Sequence, residues 1–347
     1  MITEKNQKYY IAGLIAVSVL ISSFAFYFYQ VFFSPNTLTE SEVPAELKIP
    51  SNATFKQVTD DLSKKEIITD LISFSFVAKV MDYQDNVKPG RYIIPPKLSN
   101  RELVALLRSG KQAPVNVTFN NIRTKEDLAE KITANLEVPE EQFLHLLTDS
   151  VYIRKFEFNE ETIMSMFIPN TYELYWNTSA EQLFDRMYKE YVKFWNDERQ
   201  QMASDMGMSL EEVSTLASIV QAETTKNPEK PTIAGVYINR LNQGIPLQAD
   251  PTLVFALGDF SIKRVLNVHK EIDSPYNTYK YAGLPPGPIN LPDITSIDAV
   301  LNHQDHNYLY FCAKEDFSGY HVFTTNLRDH LNQARKYQNA LNQAKIY

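Results

Sequence analysis

Tyr9 to Phe33 is a run of about 25 residues with no charged side chain, dominated by Ile, Leu, Val and Phe. No other stretch of the chain limits its fold so tightly. About 20 such residues suffice for a helix to cross the hydrocarbon core of a bilayer. A cleaved secretory leader has a shorter apolar core and a small-residue cleavage site, and neither is evident here. Lys5 and Lys8 precede the run, whereas Glu40, Glu42 and Glu46 follow it. The bias of basic residues toward the cytoplasmic side therefore makes residues 1–8 a cytoplasmic tail and residues 9–33 a single transmembrane helix. Everything after about Ser34 is then expected outside the cytoplasm, in the extracytoplasmic or periplasmic space.

The remainder of the 347 residues must fold there, and its length suits two or three domains. Hydrophobic content of 44% and charged content of 22% are those of a folded globular chain. The formal net charge of -8, with no basic run interleaved with aromatics, argues against a nucleic-acid partner. A lone cysteine, Cys312, sits in an apolar run and reads as a buried structural residue; it allows no internal disulfide.

Residues 34–46, with Pro35 and Pro44, read as a polar linker. Residues 47–137 carry three helix starts, Thr54/Gln57, Ser99/Glu102 and Thr124/Asp127, each followed by apolar residues at helical spacing. Strand-like stretches, Arg91–Ile94 and Val115–Phe119, precede the second and third. Residues 138–206 form a helical connecting region, broken at Phe167-Ile168-Pro169-Asn170-Thr171-Tyr172, where the proline discourages helix through Ile168. Residues 207–347 begin with helices and pass through Pro- and Gly-rich loops. They then give two strand-like runs, Tyr308–Ala313 and Tyr320–Thr325, and close with a polar helix from about Asn326. Helices mixed with antiparallel strand pairs make the expected class α+β.

The chemistry concentrates in this last region. Ser209 and Glu212 start a helix whose Val213, Leu216, Ala217 and Val220 make an apolar stripe. Glu223, three residues after Val220, projects from the same stripe. A carboxylate at the end of a buried face is desolvated, its pKa rises, and it becomes a general-acid candidate. A structural ion pair is the alternative. Asp250 before Pro251 reads as a helix N-cap, with substrate contact as the second role. Arg240 has the chemistry to hold an acidic sugar substituent or a structural salt bridge. Tyr276, Asn277 and Tyr279 are types that stack on sugar faces and bond to hydroxyls. The rigid Gly283–Ile289 loop, with three prolines, makes a groove wall. His321 alternates with Phe323 on a strand, facing either the site or a structural partner. His303 and His306 read as ordinary surface residues. No HExxH, serine elbow, phosphate loop or dinucleotide fingerprint is present, and no metal or cofactor is expected.

Taken in order, these stretches resemble the endolytic murein transglycosylase, or YceG-like, family. The matching runs are Leu216–Glu223, Val236–Leu241, Leu247–Thr252, Tyr276–Tyr279, the Gly283–Ile289 loop, and His321 with Phe323, Thr325 and Asn326. Phe167–Tyr172 is similar to an earlier family motif, and Pro89–Gly110 to the family's LysM-like module. Gln221 and Asn170 depart from the acidic residues of many relatives. The resemblance implies a membrane anchor, a small LysM-like α/β module within 47–137 and a mixed α+β catalytic domain at 207–347. It identifies Glu223 as catalytic, and adds Asn239, Gln248 and Pro286 to Arg240, Asp250, Tyr276, Asn277, Tyr279 and His321 as substrate-binding candidates.

The implied reaction is a non-hydrolytic cut between N-acetylmuramic acid and N-acetylglucosamine. Glu223 protonates the glycosidic oxygen and then accepts the proton of the muramyl C6 hydroxyl, which attacks C1 and leaves a 1,6-anhydro end. One carboxylate suffices, unlike the pair of an ordinary glycosidase. Implied partners are peptidoglycan strands, the bilayer through one helix, and the polymerases whose nascent strands such cutting terminates. A glycan-binding scaffold, and a hydrolytic muramidase using Asp250 or Asp273 as second carboxylate, are the alternatives.

Overall fold

The computed structural model describes residues 4–38 and 42–344. The chain divides into two compact units, one made of residues 1–116, 135–137 and 173–178, the other of residues 117–134, 138–172 and 179–347.

The first unit opens with α1 (Glu4–Phe33), exposed from Gln7 to Gln30. Its segment Gln7–Phe33 is long and apolar enough to cross a membrane. Residues 1–3 of the expected tail, and Glu40, lie outside the described residues. The last turn of α1 changes character, since Val31 and Phe32 are buried among the apolar residues of the unit. β1 (Ala45–Ile49), α2 (Phe55–Lys64), α3 (Leu71–Val80), β2 (Gly90–Ile94) and α4 (Asn100–Ser109) follow. β1 and β2 pair antiparallel, with Leu47 opposite Tyr92. Period-two alternation then sends Leu47, Ile49, Tyr92 and Ile94 into one core with Val58, Phe74, Leu103 and Leu107. Thr54 and Ser99 form complete capping boxes, as their sequence pattern predicts.

Residues 34–38, read from the sequence as the start of a linker, are built into this unit instead. Asn36 and Thr37 are buried. Asn36 donates through Nδ2 to the Asp70 carbonyl and to Asn100 Oδ1, and accepts from the Asp70 N–H. Asn100 in turn donates to the Val31 carbonyl at 2.9 Å. The physical reason is saturation: the buried amide and hydroxyl groups of Asn36 and Thr37 are paired, with the carbonyls of Leu98, Asp70 and Pro95, the N–H groups of Asp70 and Leu98, and the Asn100 side chain.

The second unit holds residues 117–119 of β3 (Val115–Phe119) and residues 170–172 of β4 (Asn170–Leu174), which lie side by side there. The Thr118 and Thr171 hydroxyls meet at 2.8 Å, and the rings of Phe119 and Tyr172 stack. Of α5 (Lys125–Thr133), α6 (Glu140–Thr148), the short α7 (Ser150–Ile153), α8 (Ala180–Phe194) and α9 (Asp197–Asp205), the middle three bring Phe143, Tyr152 and Phe184 to an aromatic core. Phe143, Phe167 and Phe184 meet there edge to face or tilted. α10 (Leu210–Glu223), α11 (Lys230–Asn242), α12 (Asp250–Leu257) and α13 (Ile294–Leu301) come next. The antiparallel hairpin β5 (Tyr310–Ala313) and β6 (His321–Thr324) and the helix α14 (Leu327–Gln343) end the described chain. The mixture is α+β. Cys312, expected to be buried, is half-buried on β5.

Candidate active site

α10 is the helix around which the site is arranged. Its start is the capping box of Ser209 and Glu212. The sequence predicts a single apolar stripe, but every residue from Val213 to Val220 is buried. The difference comes from small hydroxyls on the other face. Thr215 Oγ1 donates to the Glu211 carbonyl and Ser218 Oγ to that of Thr215, so they bury with their donors paired within the helix. α10 packs against α11, α12 and α13 and carries Glu223 as its last residue.

Glu223 is half-buried, with one edge on a cavity. Burial in apolar surroundings raises its pKa from an ordinary 4.5 to about 7, against the opposing pull of a hydrogen bond from Tyr237. The Asp250 charge pushes it up further and the Arg240 charge pulls it down. A helix C-terminus also disfavours an anion at this position.

Tyr237, one of the core residues of α11, is the partner the sequence does not single out. It is 1% exposed, its ring meets Phe311 edge-on, and its hydroxyl donates to Glu223 Oε1 at 2.6 Å. Burial and the adjacent carboxylate hold its own pKa far above the ordinary phenol value, so it keeps its proton. A neutral Glu223 bonded in this way carries its proton on the other oxygen, Oε2. The available signal was a tyrosine among Ile233, Val236 and Ile238, because a buried phenol needs a partner.

Two other candidates on α11 serve the backbone. Arg240 Nε donates to the Leu309 carbonyl at 2.6 Å, and Nη1 donates to those of Pro246 and Leu247 at 3.1 and 2.7 Å. Its guanidinium lies over the Tyr310 ring. Asn239 Nδ2 donates to the carbonyls of His306 and Tyr308. These bonds fasten the 245–247 turn and the entry to β5 onto α11. His303 and His306, expected at the surface, are half-buried, and His306 Nε2 lies 2.9 Å from the Thr232 carbonyl.

The 247–252 segment docks on the 276–279 turn through buried hydroxyls. The Ala249 N–H donates to Thr278 Oγ1, and Thr252 and Thr278 hydroxyls meet at 2.9 Å. Gln248 is exposed, with φ 54°, and its N–H donates to the Thr278 carbonyl. The N-cap of α12 is Ala249, not Asp250 as the sequence predicts, and no side chain caps the helix. Asp250 stands one position inside it, where its carboxylate is free to face the cavity and accepts the Tyr279 hydroxyl proton. Asn277 is 0% exposed and shapes the turn: Nδ2 donates to the Lys270 and Ile272 carbonyls, and Oδ1 accepts from the Tyr279 and Lys280 N–H groups.

The proline-rich loop is held in place by a close approach. A Cβ at Gly287 would lie 2.0 Å from the Glu161 carbonyl oxygen. Beyond it Ser218 Oγ accepts the Ile289 N–H, and the Ser218 carbonyl accepts from Asn290 Nδ2. Gln221 donates to the Leu291 carbonyl and accepts from the Asp293 N–H. Gln221 is thus a bracket between α10 and the loop.

Glu223 and Asp250 line a single cavity of about 710 Å³ together with Phe255, Asn290, Asn121 and Arg123. The last two are placed there by Ile122, which is buried and whose carbonyl accepts the Leu291 N–H. Tyr279 joins the site through Asp250. The other candidates lie elsewhere. Pro286 and Asp273 line a second hollow, with Asp273 accepting from Tyr281 and Lys280. Tyr276 lines a third, which shares Arg123 and Phe255 with the first. His321 Nδ1 lies 3.0 Å from Glu229 Oε2, and its N–H donates to Oε1. Among the described residues no group of three His, Cys, Asp or Glu side chains is placed to hold a metal.

A cavity of this size, lined by one proton-bearing carboxyl, a second acidic side chain, aromatic rings and three cations, suits acid catalysis on a polar substrate. Comparison with known proteins bears on which. Residues 47–336 match the model of the YceG-like family. The endolytic murein transglycosylase of Bacillus subtilis (strain 168) is 28% identical, with 88% of each chain covered. That of Streptococcus pneumoniae serotype 2 is 27% identical over 84% of this chain, which spans 58% of the pneumococcal protein's length. The crystal structure of a YceG-like protein from Listeria monocytogenes matches with a TM-score of 0.56 and 28% identity, covering 84% of this chain and 99% of that one.

Proposed function

The chain belongs to the YceG-like family, and on that premise we propose that it is a murein lytic transglycosylase in which Glu223 alone carries the proton transfers. The curated relatives, named endolytic murein transglycosylases, support the enzyme class and the polymer. The observation that carries the chemistry is a carboxyl with a pKa of about 7, half-buried on a cavity and bonded through one oxygen to Tyr237.

Neutral Glu223 donates the Oε2 proton to the glycosidic oxygen between N-acetylmuramic acid and N-acetylglucosamine. The C1–O bond breaks, and the carboxylate left behind accepts the proton of the muramyl C6 hydroxyl as that oxygen bonds to C1. One proton enters the leaving sugar and one returns to Glu223, so no water is consumed. The Tyr237 hydroxyl stabilises the carboxylate formed between the two steps. Arg240, Asn239 and Asn277 act on the reaction through the walls they fasten. Asp250, held by Tyr279, contacts substrate and disfavours early loss of the Glu223 proton.

The long apolar helix α1 supports a single-pass anchor, and Lys5 and Lys8 before it support the reading that residues 1–8 are cytoplasmic and the catalytic cavity extracytoplasmic, within reach of strands leaving membrane-bound polymerases. The strand-helix-helix-strand order of β1, α2, α3 and β2 supports a LysM-like module in the first unit.

The test is digestion of purified peptidoglycan by the detergent-solubilised chain and by Glu223→Gln, with products weighed by mass spectrometry. Anhydromuramyl ends from the parent and almost none from the variant are expected. Equal yields would remove Glu223 from the mechanism. Reducing ends in place of anhydro ends would favour the hydrolytic reading, for which Asp250, in the same cavity, is the second carboxylate.

A further inference from the structure

Three cations line the cavity that holds Glu223: Arg123, Lys263 and Arg264. All three are exposed. In a chain with a net charge of -8 carboxylates outnumber cations, and some surface cations pair with them, as Arg91 does with Glu46 and Arg186 with Glu190. Among the described residues none of the three has an ion-pair partner. Arg123 rests its guanidinium over the Phe260 ring, 4.9 Å from its centroid, which orients the fork without neutralising it. The buried Ile122 beside it, bonded to Leu291, fixes the backbone that presents it. The carboxylates of this cavity are otherwise engaged: Asp250 with Tyr279, and Glu223 with Tyr237.

Unpaired cations converging on a catalytic cavity favour an anionic ligand. The reaction itself requires none, because the glycan backbone at the scissile bond is uncharged. In murein the negative charge lies on the peptide stem attached to each muramyl residue, whose carboxylates reach beyond the sugar.

Resting on the transglycosylase reading, we infer that Arg123, Lys263 and Arg264 form a subsite for the carboxylates of the peptide stem, so that the enzyme selects strands with acidic stems over neutral or bare ones. Exposed cations of this kind act mainly on encounter and affinity, and are screened by salt. The discrimination therefore falls chiefly in KM and shrinks as ionic strength rises.

The test compares kcat/KM of the full chain on three soluble strands: with acidic stems, with the same stems chemically amidated, and denuded by an amidase. The expected parent ratio of acidic to amidated strands is about 10, carried by KM and reduced several-fold by 0.5 M salt. In Arg123→Gln/Lys263→Gln/Arg264→Gln the ratio falls to near one. Lys263→Glu alone, a milder change should the triple variant fold poorly, lowers the ratio at least threefold. A parent that cuts acidic and amidated strands equally well, or a triple variant that keeps the ratio, overturns the inference. Denuded strands cut as fast as acidic ones would assign the cations to the lactyl carboxylate on the sugar and overturn the stem assignment. A parent that forms no anhydro ends on any strand removes the transglycosylase reading itself, an outcome distinct from a ratio of one.

Discussion

Glu223→Gln is expected to abolish activity and, above neutral pH, to make the protein more stable. The magnitude follows from the position of the carboxyl. Ionising at about 7 in the folded chain instead of the ordinary 4.5 means that above pH 7 the folded state carries a penalty of up to roughly 3 kcal/mol that the unfolded chain does not. The sign is fixed by linkage. A carboxyl whose folded pKa is raised contributes its full stability below pH 4.5, and that contribution is lost as pH rises through about 7. Glutamine has the same shape, carries no charge, and still accepts the Tyr237 hydroxyl through its amide oxygen. At pH 5, where the unfolded carboxyl is already mostly ionised and the folded one is not, the variant should lead by only about a quarter of the full difference, roughly 1 kcal/mol. At pH 8 the variant should melt higher, by up to roughly 6–12 °C for a unit of this size. Scanning calorimetry of both proteins in one detergent, across pH 4.5 to 8.5, reads the difference directly. A gap that does not grow with pH, or a variant less stable at pH 8, would refute the placement of Glu223 in a desolvated setting.

Tyr237→Phe removes the hydrogen bond that favours the Glu223 carboxylate. The alkaline limb of the kcat/KM profile should move up by about one pH unit or more, while kcat at its optimum falls about tenfold or more through loss of a charge-assisted bond. A profile that keeps its shape and position would make Tyr237 a packing residue only. Gly287→Ala would drive a methyl into the Glu161 carbonyl, 2.0 Å from the ideal Cβ. A loss of roughly 2 kcal/mol or more in chemical denaturation is expected, and unchanged stability would contradict the close approach of loop and backbone.

The helix that carries Glu223 was legible because the Ser209 capping box fixes its start; its burial on every side from Val213 to Val220 was not, since small hydroxyls stand off the apolar stripe. The neighbouring candidates were legible as residues but not as roles. Asn239, Arg240 and Asn277 have the types that bind sugars, yet their donors go to backbone carbonyls, some about 70 positions away. Nothing local records such a pairing. Asp250 shows the converse. The Asp-Pro pair reads as a cap, but the docking of Ala249 on Thr278 sets the helix start one residue earlier and leaves the carboxylate facing the cavity. Residues 34–38 look polar and proline-bearing, as linkers do, and only the distant Asp70 and Asn100 make their burial affordable.

That burial decides how such an enzyme would be mounted. With α1 in the bilayer, the helix runs without interruption into the core formed around Val31 and Phe32, and Asn100 clasps its final turn. The joint behaves as a mast stepped into a hull, not as a rope. The height and tilt of the first unit above the lipid would then be set by the helix itself and not by a swinging tether.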